Sequence, residues 1–166
     1  MQADQRVEPP ETAGELETLA GFLDYFRATV VMKAAGLSDA EGAKRLLPSL
    51  TTVSGLVQHL TDVEGFWFRD RVDGQQDVPT RWSEEDPDGE FRVSAQDSLA
   101  GIIADYEAAC EQSREVMRRH GLEDRCRGGG GKQNVRWVLV HMIEETGRHC
   151  GHLDILRELL DGSTGD

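Results

Sequence analysis

The chain has 166 residues and carries 18 lysine and arginine side chains against 31 aspartate and glutamate side chains, so its net charge is −13. That length suits one domain of ordinary size. A surface with this charge repels phosphate backbones and anionic lipid headgroups, because affinity for both depends on lysine and arginine. We therefore expect neither a nucleic-acid partner nor a membrane partner.

Apolar residues make up 38% of the chain, and they are spaced regularly enough to form a core. No apolar run approaches the roughly 20 residues of a membrane span, and the first residues lack the pattern of a signal peptide. We expect a cytoplasmic protein. Three separated cysteines, Cys110, Cys126 and Cys150, are expected to be reduced, because their odd number does not suit a disulfide framework.

Apolar residues recur at intervals near 3.6 along most of the chain, which indicates helices. Thr12 and Glu15 have the spacing of a capping box and predict a first helix over residues 13–35. Ser38 with Glu41 predicts one short helix after it. Three further long helices are predicted at residues 52–73, 94–121 and 135–160. Four long helices and no convincing strand favour an all-α four-helix bundle.

The predicted helices form one domain over residues 12–162. Residues 1–11 and 163–166 are expected to be flexible ends. Residues 74–93 form a long connection that is rich in glycine, proline and acidic residues. Connections of this length often serve as lids or binding loops, or are disordered. The acidic run at residues 84–90 is interpreted as solvated, although the whole loop could cover the mouth of a site.

Polar residues occupy the predicted core face of the last helix. With Glu145 at zero and about 100° per residue, His141 lies near −40°, His149 near +40° and His152 near −20°. The same face holds a set of apolar residues, namely Val138, Met142, Leu156, Leu159 and Leu160. Burying an unsatisfied polar or charged group costs several kcal/mol. These groups therefore need hydrogen bonds, water or a cation.

The second long helix supplies a further imidazole, since His59 lies at about −100° from Leu60 and thus at the flank of the buried face. His59 could meet Glu145 and His149 at one ion across the core. Two histidines and one glutamate with an open position are typical of catalytic zinc, with nickel, iron and manganese as alternatives. The competing interpretation is that these histidines are ordinary core or surface residues. The same interpretation applies to His141. Glu64 is interpreted as making a hydrogen bond or salt bridge within the bundle, and support of a metal ligand is the alternative.

The chain resembles the DinB/YfiT-like superfamily, and within it the DinB-like branch of unknown function. Three blocks carry the resemblance: ETLAGFLDYFRATVVMKAAGLSDAE (17–41), PSLTTVSGLVQHLTDVEGFWF (48–68) and VLVHMIEETGRHCGHLDILRELLDG (138–162). Members of this superfamily are four-helix bundles that hold a divalent metal with a histidine of helix 2 and two residues of the last long helix.

The resemblance implies that His59, Glu145 and His149 are the metal ligands. Glu145 departs from the commoner HxxxH pair, but it matches the ligand set of the mycothiol-dependent maleylpyruvate isomerase relatives. His152 lies where other members often carry glutamine. It is a candidate general acid or base, and a further ligand or a replacement for Glu145 are its alternatives.

The resemblance also implies an activity, because several members use the metal to activate a low-molecular-weight thiol such as mycothiol. The expected function is S-transfer from such a thiol to a small electrophile, with a divalent ion and the thiol as cofactors. Related bundles often pair, so a homodimer is an expected assembly. The alternatives are a metal-binding or stress-response protein without turnover, a metal-dependent hydrolase, and a structural bundle without metal.

Overall fold

The computed structural model describes residues 6–164, and within them every regular element is a helix. The α-helices are α1 (Glu15–Ala34), α2 (Asp39–Gly42), α3 (Val53–Glu64), α4 (Leu99–Met117) and α5 (Val135–Asp161). The α3 helix continues directly into a π-helical segment, Gly65–Val72, and two 3₁₀ turns lie at Gly89–Phe91 and Gly129–Gly131. The all-α prediction is confirmed, with the short α2 helix between the first two long ones.

The structure describes only part of the two ends, residues 1–11 and 163–166, that were predicted to be flexible. Residues 1–5 and 165–166 lie outside the described residues. The single domain over residues 12–162 stays a prediction.

Short polar side chains cap three of the long helices. Thr52, Ser98 and Asn134 each accept a hydrogen bond from a backbone N–H in the first turn of α3, α4 and α5. Such caps satisfy donors that a helix start leaves without partners. The predicted capping box at Thr12 is wrong, because Gly14 is the N-cap of α1 and has no side chain to accept a bond. The Glu15 carboxylate instead accepts from Arg136 on α5, at 2.6 Å.

The helices pack as two neighbouring pairs, with α1 mainly along α5 and α3 mainly along α4. The contact between α3 and α5 is narrower. Most of the predicted core is buried, but Leu16 and Leu159 are 39% and 55% exposed. They lie in the first turn of α1 and the last turn of α5, where few neighbouring side chains cover a helix. All three cysteines are free and buried. None of the helices in residues 6–164 is long and apolar enough to cross a membrane.

A charged pair lies inside this core. Arg27 on α1 donates two hydrogen bonds to Glu64 at the end of α3, with Nε–Oε1 2.8 Å and Nη2–Oε2 2.6 Å. The two residues are only 5% and 1% exposed. Burial acts to lower the pKa of Arg27, but the Glu64 charge and hydrogen bonds raise it overall, so the guanidinium stays charged. The interpretation of Glu64 as an internal salt-bridge partner is confirmed.

Replacing Glu64 with glutamine should destabilise the fold by about 3 kcal/mol, because it leaves the buried Arg27 charge without its main partner. Urea unfolding followed by circular dichroism measures the change. Glu107→Gln on α4 is the control, since Glu107 is exposed. Equal unfolding midpoints for the two variants would show that the pair contributes nothing to stability.

Candidate metal centre

Three polar side chains from α3 and α5 converge on one point. His59 Nε2 lies 3.1 Å from His149 Nε2 and 3.2 Å from Glu145 Oε1, and His149 Nε2 lies 3.2 Å from the same Glu145 oxygen. The three atoms therefore form a nearly equilateral triangle. Among the described residues, this is the group of histidine, cysteine and acidic side chains whose ligand atoms are placed to share a metal ion.

Local sequence explains why the three side chains meet. Residues four apart share one face of a helix, so Glu145 and His149 project side by side from α5. Gly147 lies between them and allows α1 to approach closely, because a Cβ at this position would lie 3.3 Å from the Phe26 ring. The His59 side chain extends from the flank of α3 across its narrow contact with α5. Helical periodicity in the sequence predicts this flank position.

The triangle lies in a largely dry setting, which gives its charges large effects. The side chains of His59, Glu145 and His149 are 11%, 19% and 12% exposed. Hydrogen bonds from His149 and His59 lower the pKa of Glu145 far below its usual range. Burial acts to lower the pKa of His59, but the carboxylates of Glu145 and Glu90 raise it to about 9. The site therefore favours positive charge.

The size of the triangle fits a small divalent cation. Bonds of about 2.0 Å to a tetrahedral zinc ion separate neighbouring ligand atoms by about 3.3 Å, and octahedral coordination at about 2.1 Å separates them by about 3.0 Å. The observed separations of 3.1 to 3.2 Å lie between these two values. His59, Glu145 and His149 could thus hold one ion without large movement, and three protein ligands would leave at least one coordination position open.

Two residues of the long loop also reach the site, and sequence reasoning missed both. The Glu90 Oε1 atom lies 3.0 Å from His59 Nδ1, although the contact departs from the direction of a straight hydrogen bond. The Phe91 ring stacks on the His59 ring at 5.0 Å between centroids and 17° between planes. The interpretation of residues 84–90 as solvated is wrong for Glu90, which is 8% exposed. Of residues 74–93, Glu90 alone is buried, and it lies in the 3₁₀ turn that packs against α3.

The remaining histidines of α5 lie outside the triangle. His152 is exposed, and its Nδ1 lies 3.2 Å from Nδ1 of His149, on the ring edge away from the other ligand atoms. Burial and the nearby charges of His149 and Arg148 lower the pKa of His152. His141 stacks on Trp137 at 5.1 Å and contacts Trp67 at 4.7 Å. The rings of His141, Trp137 and Trp67 form an aromatic cluster, and His141 lies one helical turn before Glu145.

Comparison with known families places this centre in context. A sequence profile of the family described as mycothiol-S-transferase matches residues 18–162. The chain belongs to the mycothiol-S-transferase family. Its matched region contains both helices that carry the triangle, together with Glu90 and His152. A search of curated proteins gave no match to the chain.

Adding zinc should raise the melting temperature of the protein. A ligand that binds only the folded state adds about 2.7 kcal/mol at a concentration 100 times its dissociation constant. His149→Ala and Glu145→Ala should lose that shift, because each removes one vertex of the triangle. Scanning calorimetry and elemental analysis of the dialysed protein measure the effect. His141→Ala is the control on the same helix, and unchanged zinc content in His149→Ala would rule out the site.

Proposed function

We propose that this protein is a metal-dependent S-transferase built on a DinB-type four-helix bundle. It joins a low-molecular-weight thiol, mycothiol or a close analogue, through its sulfur to a small electrophile. The observation that supports the proposal is the triangle of His59, Glu145 and His149 inside a chain of the mycothiol-S-transferase family. Zinc is the proposed ion, with nickel, iron and manganese as alternatives.

The donor set suits activation of a thiol. Two neutral imidazoles and one carboxylate leave a divalent ion with a local charge of +1, and such an ion lowers the pKa of a thiol that binds it. The protein residues have two tasks. His59, Glu145 and His149 hold the ion in place, and the low exposure of their side chains limits competition from water.

The reaction balances as a substitution at the electrophile. The thiol S–H bond breaks, sulfur forms a bond to the electrophilic carbon, and the leaving group departs with its bonding electrons. The thiol proton needs an acceptor. We assign this task to His152, because its lowered pKa keeps the ring neutral near pH 7 and its exposure lets it exchange protons with solvent. Its Nδ1 faces Nδ1 of His149 and not the triangle, which counts against the role of a further ligand. To accept the thiol proton, the exposed His152 ring would have to release this contact.

The zinc-loaded protein should consume a bimane halide in the presence of mycothiol, and at least tenfold more slowly with His59→Ala. Loss of rate is expected because a thiol with an ordinary pKa is mostly protonated at neutral pH. Fluorescence of the thioether product measures the rate, and glutathione and cysteine test the choice of thiol.

The other functions give different results in the same experiment. Stoichiometric zinc without consumption of the electrophile by any thiol would favour a metal-binding protein. Hydrolysis of an activated ester in the absence of thiol would favour a hydrolase. His141→Ala again serves as the control, because His141 lies outside the triangle and is expected to keep zinc.

A further inference from the structure

The long loop between the π-helical segment and α4 supplies a carboxylate that nothing in the proposed mechanism uses. We propose that Glu90 is a positioning residue, which holds the His59 ring with its proton on Nδ1 and so keeps the Nε2 lone pair free for the cation. This inference rests on the proposed metal site for its function. Its structural part concerns His59 alone and can be tested without metal.

The short distance between the two side chains is the first support, although the contact departs from the direction of a straight hydrogen bond. Glu90 Oε1 is 3.0 Å from His59 Nδ1, and the Glu90 side chain is 11% exposed. In the described part of the chain this is the one ion-pair contact of the Glu90 carboxylate. A carboxylate accepts hydrogen bonds and does not donate them. Two acceptors at this distance would repel each other, so Glu90 favours a proton on Nδ1. The Nε2 atom of His59 can then accept a hydrogen bond from Nε2 of His149, which lies 3.1 Å away.

The second nitrogen of the His59 ring, Nε2, faces the proposed metal position. A neutral imidazole has one proton, and each of its two nitrogens faces a carboxylate: Glu90 at Nδ1 and Glu145 at Nε2. A cation between His59, His149 and Glu145 needs a lone pair on Nε2. With the proton held at Nδ1 by Glu90, that lone pair is available. Carboxylates behind ligand histidines act in this way in many metal sites.

The backbone around Glu90 is anchored to the same helix that carries His59. Gln58 Nε2 donates to the carbonyl oxygens of Glu90 at 2.7 Å and of Arg92 at 3.0 Å. Gly55 leaves space for this turn, because a Cβ there would lie 3.0 Å from the Phe91 carbonyl oxygen. The α3 helix therefore anchors the 3₁₀ turn, and Glu90 of that turn contacts His59 of the same helix.

The His59 ring is restrained in two directions. Glu90 meets the edge of the ring at Nδ1, and the Phe91 ring covers its face. The earlier acidic residues of the loop, Glu84 and Glu85, are exposed. They share the charge of Glu90 but none of its contacts, and Glu85 provides a matched control.

The first experiment reads the protonated nitrogen directly. ¹⁵N-labelled, metal-free protein is studied by long-range ¹H–¹⁵N NMR at about pH 10, where the imidazole rings are neutral. We expect His59 to carry its proton on Nδ1 in the native protein and in Glu85→Ala. In Glu90→Ala the proton should shift to Nε2, or to a mixture of both, because only Glu145 remains to attract it. An Nε2 proton in the native protein, or no change in Glu90→Ala, would overturn the proposal.

The second experiment measures zinc affinity with a competing chelator. Loss of a carboxylate behind a ligand histidine weakens metal binding about 10- to 100-fold, and we expect this for Glu90→Ala. Glu90→Gln keeps an acceptor oxygen and should lie between Glu90→Ala and the native protein. Equal affinity in all three proteins would show that Glu90 does not support the ligand.

The two experiments separate this inference from the proposed function. If the native protein binds no zinc, the metal-dependent function fails, while the NMR result still decides the role of Glu90. If zinc binds but Glu90→Ala changes neither the tautomer nor the affinity, only the positioning role fails. Circular dichroism of each variant shows whether it is folded.

Discussion

The buried ion pair between Arg27 and Glu64 fixes how α1 lies against α3, and the rest of the site depends on that placement. Both side chains are almost fully buried, so loss of either partner is costly. Arg27 has a second contact, from Nη1 to Asp24 Oδ1 at 2.9 Å. Glu64 is also the last residue before the π-helical segment, five residues after His59. Because α1 packs closely on α5 at Gly147, the same helix sets the position of α3 on one side and of α5 on the other. The separation between His59 and the two α5 side chains follows from this shared neighbour.

Within that arrangement, three polar groups lie across one of the narrower contacts between helices. The α1–α5 and α3–α4 contacts are extensive and leave the α3–α5 contact narrow. His59, Glu145 and His149 lie across this narrow contact with little exposure to water. Burying three such groups is costly unless each has a partner. Their hydrogen bonds to one another reduce that cost, and a cation in the triangle would remove most of the remainder.

The sequence predicted the part of this site that depends on helical periodicity. The interval between Glu145 and His149 fixes their common face in any α-helix, and the position of His59 beside an apolar stripe follows from the same rule. Glu90 could not be found in this way, because it lies in a three-residue turn inside a loop and has no periodic pattern around it. The acidic composition of residues 84–90 indicated a solvated segment, and Glu84, Glu85 and Asp88 are indeed exposed. The sequence predicted a helix over residues 52–73 but did not show that Gly65–Val72 is π-helical. The apolar spacing that indicates a helix does not distinguish the two helix types.

The charges around His59 connect the structure with the proposed chemistry. Two carboxylates, Glu90 and Glu145, lie on opposite edges of its ring in a site with little water. A thiolate placed beside them would meet negative charge at short range, and low solvent screening would make that repulsion large. A divalent cation held by His59, Glu145 and His149 would offset both of these negative charges. The same carboxylates that attract the cation would therefore prevent a free thiolate from collecting there without it, which would make thiol activation depend on the ion at this site.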